Sequence, residues 1–125
     1  MADAKEKTIA LLSTTTVALN ANADTVIYTV PTGKTCVLSH AILVVGADAG
    51  TTTISIGADG VDTDFVGVST LSALDAANDA CRLAPIPSLT PAKEEAYAAA
   101  TIIHAVVAAQ AGGATNTLYL FGTLY

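Results

Sequence analysis

The residues able to do chemistry in this chain are few, and their spacing decides what they can do. There are two histidines, His40 and His104, and two cysteines, Cys36 and Cys81. A nucleophile needs a base within hydrogen-bond reach and a third group to orient that base. Both histidines fall in the middle of apolar, β-branched runs that read as strands. Cys36 and His40 lie four residues apart on one face of one expected strand, which separates the side chains by about 13 Å, too far for proton transfer. Both histidines are read as satisfied strand residues and both cysteines as small buried hydrophobes. A disulfide is not expected where a chain has ample core and no dense cysteine framework. The best cation candidate is the acidic turn Asp59-Gly60-Val61-Asp62-Thr63-Asp64. Three carboxylates could hold Ca²⁺ through oxygen ligands. The spacing departs from the EF-hand loop, since Gly follows the first Asp and no Glu closes the far end. A solvated acidic turn is the expectation. Lys93-Glu94-Glu95 reads as an exposed first helical turn, because adjacent helical residues point in different directions. Glycines lie in turns between strands and form no phosphate loop. No catalytic, cofactor-binding or metal-binding residue is assigned, and no enzyme activity is expected.

The elements that would position these groups are strands. Thr25–Val45 (TVIYTVPTGKTCVLSHAILVV) is two apolar runs about Pro31-Thr32-Gly33-Lys34. Pro fixes φ and Gly accepts φ > 0, so PTGK reads as a turn, and the two runs as a central hairpin. In the second run Cys36, Leu38, Ile42 and Val44 share one face, and Val37, Ala41, Leu43 and Val45 the other. A strand apolar on both sides must be covered twice, by a second sheet or by another subunit. Thr51–Ile56 alternates with a dry face (Thr52, Ile54, Ile56) and a wet one. The Gly57–Gly60 turn then returns the chain as a strand over Val61–Val68. Ser69–Ala80 reads as a short helix or helical loop, with Ser72 and Asp75 in capping-box spacing. Cys81–Ile86 reads as a strand. Thr90-Pro91 with the acids after it predicts a second short helix over about Pro91–Ala98. Thr101–Gln110 and Thr117–Tyr125 read as a terminal hairpin about Ala111–Asn116. The expected fold is mainly β: one antiparallel β-sandwich, jelly-roll-like, over residues 25–125, with one or two short helical segments. Residues 1–24 form an N-terminal arm that docks on a neighbour, or an edge strand.

Composition points to assembly. The chain has 125 residues, 52 % of them hydrophobic and only 13 % charged, with a net charge of −6. Ordinary soluble domains carry about 25 % charged residues, so a lone copy would expose apolar surface. Lys5, Lys7, Lys34, Arg82 and Lys93 are scattered, which excludes the basic stripe of a nucleic-acid binder and a polybasic membrane anchor. No apolar run is long enough to span a bilayer as a helix. The first residues have parts of a leader pattern, but Asp3 and Glu6 neutralise its basic region and Ser13–Thr16 interrupts its apolar run. Tyr119, Phe121 and Tyr125 fall on one face of the last strand, and three of the chain's six rings are there. Ile9, Leu11, Leu12, Tyr119, Phe121 and Tyr125 are therefore the candidate interface residues, since Tyr and Phe are enriched where subunits meet.

The stretch Ile27-Tyr-Thr-Val-Pro-Thr-Gly-Lys-Thr-Cys-Val-Leu38, then Thr51-Thr-Thr-Ile-Ser-Ile56, and the close from Ala111-Gly-Gly to Leu118-Tyr-Leu-Phe-Gly-Thr-Leu-Tyr125 resemble small β-sandwich virion proteins of tailed bacteriophages. The resemblance runs from Thr25 onward and leaves Ser69–Ala100 unmatched. It implies a structural role: a capsid decoration or cement protein of the head, or else a neck or tail component. It also implies a protein found in the virion and made in the host cytoplasm, whose partners are its own copies, the major capsid protein or other virion proteins. It supplies no catalytic residues, cofactor or small-molecule substrate. A carbohydrate-binding sandwich is the alternative binding module, for which a chain without Trp offers little.

Overall fold

In the computed structural model, which describes residues 8–86, 93–108 and 115–125, nine strands form two antiparallel sheets. The strands are β1 (Ala10–Val17), β2 (Ala23–Thr29), β3 (Cys36–Val44), β4 (Thr53–Ala58), β5 (Val61–Thr70), β6 (Ala80–Leu83), β7 (Ala96–Tyr97), β8 (Ile102–Ala108) and β9 (Asn116–Leu124). Sheet A has the order β1-β9-β3-β6, with β7 also on the β6 side of β3; sheet B has the order β2-β8-β4-β5.

Alternation fixes which side chains enter the core. Leu118 and Leu120 of β9, Leu38, Ala41 and Leu43 of β3, Ile54 and Ile56 of β4, and Ile103, Ala105 and Val107 of β8 are all buried between the sheets. Phe65 of β5 fills the same layer. Each fully buried Leu, Ile or Phe side chain contributes about 1.5–3 kcal/mol relative to exposure, which makes this layer the main source of stability. Asp59-Gly60 closes a tight hairpin between β4 and β5, with Ala58 opposite Val61 and Gly60 at φ 83°, a conformation that suits glycine.

Three expectations change. First, neither expected hairpin exists as such. β2 pairs with β8 in sheet B while β3 lies in sheet A, so the PTGK turn crosses between sheets. β8 and β9 are divided in the same way. Stacking two sheets buries a two-sided apolar run better than a ribbon with one open face. Second, no helix occurs among the described residues. Ser69–Thr70 ends β5, and the segment after it is held in turns. The Asp79 carboxylate accepts from the Asp75 and Ala76 amides at 3.1 and 3.0 Å, and Asn78 sits at φ 71°. Local Asx bonding competes with the helical ladder, and a left-handed residue interrupts it. In the second expected helix, residues 91–92 lie outside the described residues, and Ala96–Tyr97 pair with β3. So short a helix is marginal in water and yields to tertiary pairing. Third, Ser55, on the expected wet side of β4, is only 4 % exposed, because β4 is an interior strand between β8 and β5.

β1 is an edge strand of the chain's own sheet A, paired along its length with β9. It also approaches β2: the Thr15 hydroxyl reaches the Ile27 carbonyl at 3.5 Å, which draws the two sheets together on that side.

Candidate interaction surfaces

β3 carries an irregularity that decides where its side chains go. Its register with β9 shifts between Leu38 and His40, leaving Ser39 as an extra residue. A bulge reverses the parity of the strand. Cys36 and Leu38 before it, and Ala41 and Leu43 after it, all face inward. The expectation that Cys36 and His40 share a face is thereby corrected: Cys36 is buried and His40 is on the outside. Burial pushes the Cys36 thiol up to about 11, so it is held as an inert thiol.

The outside of sheet A is built in cross-strand rows. In one, Leu11, Phe121 and His40 stand side by side on β1, β9 and β3. The His40 and Phe121 rings stack with centroids 4.7 Å apart and planes 8° from parallel. The next row is Thr14, Tyr119, Ile42 and Arg82, and a third is Thr16, Thr117, Val44 and Ala80. Paired aromatic and aliphatic neighbours of this kind stabilise a sheet and give its face a fixed relief. Ser39 Oγ lies 3.0 Å from His40 Nδ1. Desolvation, and then the nearby Arg82 charge, hold the His40 imidazole below its usual range. The rows contain no carboxylate.

The candidate interface residues therefore separate. Leu11, Tyr119 and Phe121 are on this face. Ile9, just before β1, is 59 % exposed, and Tyr125 is 51 % exposed, with its backbone paired to Thr35. Leu12 is the extra residue in a bulge between Leu11 and Ser13 and turns inward, packed against the core. Leu11, Leu12, Lys34 and Leu124 line a cleft of about 290 Å³ at this end of the sheet. His40, Ile42, Val44 and Arg82 were not expected here. The bulge that turns the first three outward leaves no mark in composition, and only the sheet order brings Arg82 alongside.

Sheet B has a different outer face. Along β8, Ile103, Ala105 and Val107 are buried, while Ile102, His104 and Val106 are half-buried on the outside. His104 Nδ1 is 2.6 Å from Asp24 Oδ1 of β2, and its Nε2 is 3.3 Å from Asp59 Oδ1 of the β4–β5 turn. The second contact has ion-pair distance without hydrogen-bond alignment. One imidazole thus stands between two carboxylates that are themselves 54 % and 74 % exposed. Val26, opposite His104 on β2, is 53 % exposed beside them.

The acidic turn does not gather. Asp59 faces His104, whereas Asp64 is 8 % exposed and accepts from the Tyr97 hydroxyl at 3.1 Å and the Ala58 amide at 3.0 Å. Its carbonyl accepts from the Lys93 amide. Among the described residues no group of three or more His, Cys, Asp or Glu could hold a metal ion. Asp64 joins the two sheets instead, since Tyr97 pairs with β3. Burial, then the Asp64 carboxyl beside it, raises Glu95. Lys93 Nζ is 4.0 Å from Glu95 at the surface. Comparison with protein-family models, curated proteins and solved structures finds no match to this chain.

Proposed function

We propose that this chain is a virion structural protein, a capsid decoration or cement protein of the kind carried by tailed bacteriophages, which acts by protein–protein binding. One observation carries the reading. The outer face of sheet A presents Leu11, Phe121, His40, Tyr119, Ile42 and Val44 in register, with no carboxylate among them, on a chain with 13 % charged residues. A face of stacked rings and aliphatic rows is what a protein interface needs at its centre. The resemblance of the YTVP-TGKT stretch and the closing strand to phage virion sandwiches gives the partner: the shell and its own copies. The scaffold we propose is a jelly roll. The orders β1-β9-β3-β6 and β2-β8-β4-β5 support it, being what two interleaved Greek keys produce. Such a protein would strengthen a shell by burying apolar area across subunit joints, at ~25 cal/mol per Å² before the costs of association.

The test is co-sedimentation of the purified chain with phage capsids that lack an outer decoration. Saturable binding that falls about tenfold or more in Phe121→Arg supports the proposal. A chain that stays in the supernatant at all concentrations overturns it.

A further inference from the structure

We infer that the two outer faces are complementary, and that copies of this chain associate head to tail, with the outer face of sheet A of one copy seated on the outer face of sheet B of the next. This rests on the reading of the chain as a protein that works by association, and it names the partner as a second copy. On sheet A the charged group is Arg82, exposed at the end of the Thr14–Tyr119–Ile42 row. No carboxylate of the described residues lies within ion-pair distance of it. On sheet B the charged groups beside His104 are Asp24, 2.6 Å from its Nδ1, and Asp59, 3.3 Å from its Nε2, and more than half of each side chain is open to solvent. Each face also has an apolar ridge: on sheet A Leu11, 52 % exposed, with Phe121, toward the β1 edge and across the sheet from Arg82 on β6, and on sheet B Val26, 53 % exposed, with Ile102 and Val106.

The signs select the pairing. Sheet A against sheet A buries each Arg82 with no carboxylate opposite, and sheet B against sheet B sets Asp24 and Asp59 on their own kind. Like charges and unpaired buried charges each oppose association. Only sheet A against sheet B gives Arg82 a carboxylate while both ridges are covered. Such a contact uses two different patches, so it propagates from copy to copy and closes as a ring or continues as a filament. The Asp24 carboxylate, hydrogen-bonded to His104 Nδ1, is ordered before contact, which lowers the entropy cost of making it.

The experiment is sedimentation velocity of the whole chain across a concentration series, with Arg82→Glu and Asp59→Lys as charge reversals. Val26→Ser serves as a second sheet B variant that removes apolar area without adding a charge beside His104. Circular dichroism confirms the fold of each. The expected result is concentration-dependent assembly beyond a dimer, weakened about tenfold or more by each single variant. It is restored when Arg82→Glu and Asp59→Lys protein are mixed in equal amounts. A concentration-independent monomer overturns the inference, as does assembly indifferent to all three variants. A closed dimer that responds to Arg82→Glu and not to Asp59→Lys or Val26→Ser also overturns it. A monomer that still co-sediments with capsids removes the head-to-tail contact alone, whereas one that binds neither itself nor capsids removes the decoration reading as well.

Discussion

Gly122 shows how a single residue sets the geometry of the candidate surface. A Cβ there would lie 2.7 Å from the Val37 carbonyl oxygen and 2.8 Å from Leu12 Cδ1. The first of these is backbone and cannot swing aside, so β9 can lie this close to β3 only with glycine. Gly122→Ala is expected to cost about 2 kcal/mol through overpacking, read as a lower denaturant midpoint with an unchanged slope. His40 makes a second prediction. Its imidazole is held below the usual 6.5 by desolvation and by Arg82, so the fold favours the neutral ring. A depressed folded value means that the contribution is whole above the unfolded value and is lost as pH falls through the folded one. The wild type should therefore lose more thermal stability than His40→Gln between pH 7 and about pH 5. An equal loss in both proteins would refute the assignment. Sequence alone gave His40 as a strand residue without chemistry; its ring stack with Phe121 needed the register of β3 on β9.

The bulge at Ser39 decides the candidate surface among the elements. Before it the inward residues of β3 are Cys36 and Leu38, and after it Ala41 and Leu43. Strict alternation through the same run assigns Ile42 and Val44 to the side of Cys36, which the fold reverses. Because both parities of this strand are apolar, hydrophobic pattern could not choose between them. Deleting Ser39 should give regular pairing that keeps His40 opposite Phe121 on the outside and Ala41 and Leu43 inward, so the deletion, like Ser39→Ala, should cost no more than about 1–2 kcal/mol. Urea unfolding of the two variants measures both. β9 was readable because its faces differ: Leu118, Leu120 and Leu124 against Tyr119, Phe121 and Tyr125. The first short helix gives way to turns because Asp79 and Asn78 shape the segment locally and Ser72 and Asp75, in capping-box spacing, have other partners, and the second gives way to the pairing of Ala96–Tyr97 with β3. Ser72 interacts with Thr70.

At the scale of the molecule, each sheet has an interior pair of strands: β9 and β3 in sheet A, β8 and β4 in sheet B. Their amides pair on both sides, and their side chains form most of the core. Amide exchange should therefore be slowest in β9, β3, β8 and β4, and faster along the edge strands β1, β2, β5 and β6, each paired on one side only by the strands of the described residues. Hydrogen exchange followed by mass spectrometry tests this, and a β5 as protected as β8 would contradict it. Amino-acid order by itself determined the β class, most of the strand segments, the Gly57–Gly60 turn and the shortage of charge, because these follow from local propensity, turn chemistry and counting. Tertiary structure alone decided that consecutive strands part into opposite sheets, that Asp59 and Asp64 serve different faces, and that Arg82 stands in a row with Tyr119. Those facts depend on which distant backbone edges pair and where a strand gains one residue, and many pairings satisfy the same local pattern until the core is closed.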